Sequence, residues 1–134
     1  MRLTPYFTLV DADRFVAYMA TVFGVVVIKD DRHPDGSIQH ARLRIEDSII
    51  MLNEAAAQYP PTYSQMHLYV ESVETTYNLA LAHGSESLMA PMVRPHGDKM
   101  AGFKDPFENV WWVAEKAQQH YKPMATQADG QTSR

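Results

Sequence analysis

The stretch VDADRFVAYMATVFG, Val10-Asp11 through Phe23-Gly24, returns faintly as VESVETTYNLALAHG, Val70-Glu71 through His83-Gly84, at the same internal spacing. Each copy follows a β-prone segment, opens on residues whose side-chain oxygens can cap a helix, and closes on glycine, which readily takes the left-handed conformation that ends one. A repeat of this length is too long for a solenoid unit and too short for two independent domains. The two halves are therefore expected to share one sheet system.

Working outward from the first copy, Leu3 to Leu9 mixes aromatic and β-branched residues and reads as a strand. Asp11 and Asp13 offer cap oxygens before Phe15, Tyr18, Met19 and Val22 recur at helical spacing. Beyond Gly24, the β-branched run Val25 to Ile28 is a second strand, and Pro34 with Asp35-Gly36 marks a reversal into the alternating segment Ser37 to Ile45. Glu46-Asp47 turns the chain into Ser48 to Asn53, so residues 1–56 read βαβββ. Glu54 to Tyr63, with Pro60-Pro61, reads as a linker. In the second half Gln65 to Val70 is a strand, Ser72 caps a helix through Ala82, and strands are expected at Leu88 to Met92, Met100 to Lys104 and, after an Asp105-Pro106 turn, Val110 to Ala114. That makes an α+β chain of two tandem βαβββ modules, about 1–56 and 63–116, in one domain over 1–116, followed by a polar tail over 117–134.

Composition narrows the function by exclusion. The chain has 134 residues, 46% apolar and 21% charged, as a globular protein with one core does. A formal charge of -4 without a Lys/Arg cluster argues against nucleic acid. The longest aliphatic run, Val25 to Ile28, is far short of the ~20 residues that span a bilayer, and no basic-then-apolar leader opens the chain, so no membrane partner and a cytoplasmic setting are expected. With no cysteine, zinc-thiolate sites and thiol nucleophiles are excluded. Phosphate-binding glycine loops, EF-hand loops and a Ser-His-Asp order are also missing.

Two βαβββ modules, the segment Gly97-Asp98-Lys99, and Asp105-Pro106-Phe107 before a Trp-bearing last strand together resemble the vicinal oxygen chelate superfamily, the glyoxalase, bleomycin-resistance and extradiol dioxygenase group. Pro5-Tyr6, Phe23-Gly24, Asp35-Gly36, His40-Ala41 and Met51-Leu52 resemble its PhnB-like branch. The resemblance implies curved mixed sheets around a cavity, a homodimer whose modules complete one another's cavities, and, in metal-dependent members, His or Glu ligands at four positions. Those positions fall here at Thr4 or Pro5, Met51, Gln65 and Trp112, none a good ligand for a hard divalent ion. No metal or other cofactor is therefore expected. Where Asp-Pro-Phe is commonly followed by glycine, this chain has Glu108, with Asn109 expected to take the positive-φ conformation and Glu108 to be solvated.

Strand alternation then picks out the candidate site. Ala41, Leu43 and Ile45 form one face of their strand, expected to pack under a helix, which turns His40 and Arg42 toward the cavity and leaves Arg44 wet. Gln65, His67 and Tyr69 share a face. Trp111 and Trp112 point to opposite faces, one into the core and one, Trp112, toward the cavity, where an indole suits an organic ligand better than an ion. The expected ligand-binding set is His40, Arg42, Gln65, His67, Tyr69 and Trp112, for a small organic molecule. Two enzymatic alternatives remain: a lyase, isomerase or dioxygenase using a metal held by a rearranged set such as His40, His67 and Glu108, or a metal-free acid-base enzyme with His67 as base and Arg42 stabilising an enolate. Free exposure of His67 would count against the last. Arg94, His96, Asp98 and Lys99 lie in a Pro-rich segment that could form a flap.

Overall fold

The computed structural model of the protein describes residues 1–116. Its elements are β1 (Tyr6–Leu9), α1 (Ala12–Phe23), β2 (Val26–Arg32), β3 (Ile38–Ile45), β4 (Ser48–Glu54), β5 (Gln65–Tyr69), α2 (Val73–Ala82), β6 (Glu86–Val93), β7 (Lys99–Lys104) and β8 (Val110–Glu115). The strands form two four-stranded sheets, ordered β1-β4-β3-β2 and β5-β8-β7-β6, the same topology twice. In each, the outer pair β1/β4 or β5/β8 is parallel and the other neighbours are antiparallel. The two βαβββ modules are as expected, with shifted strand ends. β1 starts at Tyr6 rather than Leu3, and β6 is longer than Leu88 to Met92. β2 runs past its aliphatic stretch to Arg32, where pairing with β3 continues and the guanidinium donates to Asp30, Asp13 and the Gly36 carbonyl. The polar tail read from the sequence lies outside the described residues.

One face of each sheet packs inward. Ala41, Leu43 and Ile45 are buried while Arg42 and Arg44 are exposed, as alternation requires. Phe7, Leu9 and Leu52 from the first sheet join Phe15, Met19 and Val22 of α1 and Phe103, Trp111 and Val113 of the second sheet in a single apolar cluster. The Phe7 and Trp111 rings stack at 6.0 Å, and Phe23 lies 4.8 Å from Trp111, so the two modules share that core. Trp111 is thus the core tryptophan. The opposite face of each sheet carries no helix among the described residues.

The duplication extends to how the helices begin. Asp11 does not cap α1 through its side chain; it sits in the left-handed region at φ 66, and the N–H groups of Asp11 and Ala12 donate instead to the Glu54 carboxylate at 2.9 and 2.8 Å. Glu54 is therefore the last residue of β4 rather than linker. In the second module Val73 N–H donates to Glu115, the last residue of β8, at 2.7 Å, alongside the expected Ser72 cap on Thr75. In both, a carboxylate brought back by the module's last strand meets orphan amides and the positive end of the helix dipole.

Three turns share one design. In His33-Pro34-Asp35-Gly36-Ser37, Arg94-Pro95-His96-Gly97-Asp98 and Asp105-Pro106-Phe107-Glu108-Asn109, the fourth residue's N–H donates to the first residue's carbonyl, and the first residue's N–H donates to the fifth's carbonyl. Proline presets the second position and the fourth takes positive φ, at 91, 105 and 68°. The left-handed residue of the last turn is thus Glu108, not Asn109. Asn109 cannot serve because its fully buried side chain is committed, accepting from Ser64 N–H at 2.9 Å and donating to Asp105 at 3.3 Å.

Candidate functional site

The open face of the first sheet is a small grid of side chains. Register sets Tyr6 beside Met51 and Met51 beside Arg42, and Thr8 beside Asn53; continuing the β3–β4 ladder by one residue brings His40 alongside Asn53. The Tyr6 hydroxyl lies 3.3 Å from His40 Nδ1, and Arg42 Nε donates to His40 Nε2 at 3.5 Å. With Nε2 accepting, a neutral His40 carries its proton on Nδ1 and gives it to Tyr6. Neither Arg42 nor Arg44 has a carboxylate partner among the described residues. Asn53 was missed by the sequence reading. Its Oδ1 is buried and accepts no hydrogen bond. Alternation along β4 from Met51, the position the resemblance singled out, sets Asn53 on the same face, and its amide was the available signal.

The open face of the second sheet carries Gln65, His67, Tyr69 and Trp112. Trp112 Nε1 donates to Gln65 Oε1 at 2.8 Å, and the indole lies against Gly102 so closely that a Cβ there would come within 2.2 Å of it. Tyr69 donates to Asp98 at 3.1 Å, which ties the β6–β7 turn, the expected flap, to this face. His67 meets Tyr69 edge to face at 5.1 Å and is exposed. Lys116 stands 5.0 Å over the Tyr69 ring.

Within one chain the six expected residues therefore form two groups on two sheets. His40 and Arg42 touch each other, as do Gln65 and Trp112, and His67 and Tyr69. Arg42 and His67, paired in the acid-base alternative, are on different sheets, and His67 is exposed in the single chain, which counts against that alternative. His40, His67 and Glu108 come from β3, β5 and the β7–β8 turn, and no three His, Asp or Glu side chains among the described residues gather as a metal site. At the positions where the resemblance calls for metal ligands, Met51 is a thioether, Trp112 has only a donor, and Gln65 Oε1 is occupied by that donor. These residues do not fit a hard divalent ion.

A cavity of about 360 Å³ lies elsewhere, where Asp11 and Arg14 at the start of α1 meet Tyr63, Phe107 and Glu108. Arg14 lies over the Phe107 ring at 5.3 Å. Glu108 is exposed at its rim, in line with the solvated reading. Beneath it, Asp105 Oδ1 accepts from the Phe107 and Asn109 amides and Oδ2 from Trp111 Nε1 at 2.8 Å. Burial nevertheless pushes the Asp105 carboxyl above its ordinary range. Among the described residues no helix is long and apolar enough to cross a membrane.

Comparison with known proteins agrees with this architecture. Residues 7–113 match the family model described as the Glyoxalase/Bleomycin resistance protein/Dioxygenase superfamily. An uncharacterized protein of Mycobacterium bovis, Mb0911c, is 26% identical over 96% of this chain and 95% of its own. Among solved structures, TioX from Micromonospora sp. ML1 superposes with a TM-score of 0.73 at 21% identity, covering 86% of this chain and 98% of its own. A PhnB protein from Bacillus cereus gives 0.73 at 14% identity, covering 87% and 100%. At these identities the structures share the fold.

Proposed function

The chain belongs to the Glyoxalase/Bleomycin resistance protein/Dioxygenase superfamily, and from that membership we propose that it is a PhnB-like member binding a small organic molecule without the superfamily's usual metal tetrad. The observation that carries the proposal is the Gln65–Trp112 pair. It puts an indole, held flat against Gly102, where a metal-dependent member would present a ligand, and it consumes the one amide oxygen left for an ion. An aromatic wall with a few polar groups is the usual lining of an organic-ligand site.

Two open faces in one chain suit a homodimer in which the first sheet of one protomer and the second sheet of its partner enclose each cavity. Exposed aliphatic residues support that arrangement: Val26, Val27 and Ile28 on the edge strand β2, and Leu88, Met92 and Val93 on β6. His40 and Arg42 would then face His67, Tyr69 and Trp112 across the interface. The proposed unit is one domain over 1–116, in a cytoplasmic setting. The test is to add Mn, Fe, Ni, Zn and Mg ions singly to metal-stripped protein, measuring thermal stability and bound stoichiometry, with light scattering for the dimer and an organic-compound screen beside it. Ligand-induced stabilisation by organic compounds with no stoichiometric ion is the expected result. Tight binding of one ion per chain would overturn the proposal in favour of metal-dependent chemistry.

A further inference from the structure

We propose that Asn53 determines specificity on the open face of the first sheet, and that the ligand taken there is a small organic anion bearing a hydroxyl or amino donor a few bonds from its charged group. This rests on the small-molecule reading above and gives that ligand a chemistry. Buried polar side-chain atoms are nearly always hydrogen-bonded, because leaving one unpaired costs about 1–3 kcal/mol. Asn53 Oδ1 is such an atom, the one found among the described residues.

Three donors on neighbouring residues are engaged elsewhere. Thr8 N–H goes to Thr62 Oγ1 at 3.1 Å, His40 Nδ1 is with the Tyr6 hydroxyl, and Arg42 Nε is with His40 Nε2. What remains beside Asn53 is positive charge seeking an acceptor: the terminal nitrogens of Arg42, with Arg44 two residues along the same face, neither carrying a carboxylate partner among the described residues. Arg42 is the diagonal neighbour of Asn53 across the β3–β4 ladder, at a backbone separation of roughly 7–8 Å, within reach of one small molecule. A carboxylate or phosphonate answers the guanidinium. Oδ1 is covered by protein atoms in the single chain, so only a ligand that shifts the side chains over it and also brings an N–H or O–H answers the carbonyl. An acceptor-only anion leaves Asn53 as unpaired as before, and sites built around such a group discriminate strongly against analogues that lack its partner.

The experiment compares matched probes by NMR titration of the full chain: 2-hydroxybutyrate against butyrate, and malate against succinate. The wild-type protein is expected to bind each hydroxy acid at least about tenfold more tightly than its deoxy partner, a preference of about 1.4 kcal/mol. Asn53→Leu, nearly the same size, should bring that ratio close to one while leaving the deoxy acids within about threefold, and should melt no lower than wild type because it removes an unpaired carbonyl. Arg42→Met should weaken both members of each pair. Equal wild-type binding of hydroxy and deoxy acids overturns the role of Asn53 and leaves the small-molecule reading standing. So does a clear loss of thermal stability or of dimer in Asn53→Leu, which would mean that water or a second protomer already satisfies the carbonyl. Binding of neutral or cationic compounds with no anion bound overturns the ligand class alone. If neither anions nor any screened compound bind, both readings fall.

Discussion

Asp105 is the group whose removal most sharply tests the account of the second module. Its carboxylate accepts four hydrogen bonds: Phe107 and Asn109 amides at 2.8 and 2.9 Å on Oδ1, and Asn109 Nδ2 and Trp111 Nε1 at 3.3 and 2.8 Å on Oδ2. In Asp105→Asn one oxygen becomes an NH₂ group, and whichever way the amide turns, two donors face it. Each buried donor left without an acceptor costs about 1–3 kcal/mol, and the sum is offset in part because an ionised carboxylate no longer has to be buried. The net expectation is a loss of about 2–4 kcal/mol, to be read from urea unfolding, or roughly 8–15 °C in melting temperature for a chain of this size. Trp111 fluorescence should shift red as its indole loses its anchor.

The same variant isolates a pH effect. The Asp105 carboxyl lies above its ordinary value of 3.8, so the folded state holds the proton more tightly than the unfolded one. Its contribution to stability is then full below the ordinary value and is lost as pH rises through the folded value. The stability gap between wild type and Asp105→Asn, in which other carboxylates cancel, should narrow as pH rises above about 4. A gap that widens over that range, or an Asp105→Asn protein as stable as wild type at neutral pH, would refute the reasoning.

Other expectations follow from single contacts. Gly102→Ala puts a methyl into the Trp112 ring, so the indole must leave its seat; organic-ligand affinity should fall at least about tenfold, read by the same titration, with unfolding less affected than in Asp105→Asn. Glu54→Ala and Glu115→Ala each remove a carboxylate from a helix N-terminus, at a cost of about 1–2 kcal/mol in urea unfolding, the larger for the buried Glu115. Tyr18→Phe deletes the 2.5 Å bond to Ser85 that links the modules and should cost about 1 kcal/mol, checked by thermal unfolding.

Much of the fold was legible because it is written twice, in signals that are local. Helical spacing in α1, alternation in β3 and the Ser72 cap depend on neighbours in sequence, and the structure keeps them. What escaped depends on partners distant in sequence. Asp11 looks like a cap until Glu54, arriving from the far end of the module, takes the amides. Asn109 looks like the residue for positive φ until Ser64 and Asp105 claim its side chain, which leaves the strain to Glu108. For the site, alternation told which side chains share a face but not that the two faces belong to separate sheets of one chain.

The duplication also separates framework from site by a comparison internal to the molecule. Equivalent places in the two modules keep their physics where they build the scaffold: Glu54 and Glu115 at the helix starts, the His33 to Ser37 and Arg94 to Asp98 turns, the parallel closing strands. They differ where no helix among the described residues packs on them. One open face carries Tyr6, His40, Arg42 and an unpaired Asn53 carbonyl; the other carries Gln65, His67, Tyr69 and an indole pressed on glycine. Helix packing among the described residues cannot account for that divergence, since neither face is covered by α1 or α2, and stability gains nothing from a buried carbonyl without a donor. If ligand contact is what set these side chains, then exchanging Trp112 for leucine and Arg42 for methionine should each leave unfolding within about 1 kcal/mol of wild type while removing organic-ligand binding. A large loss of stability in either would mean that the open faces are structural surfaces after all.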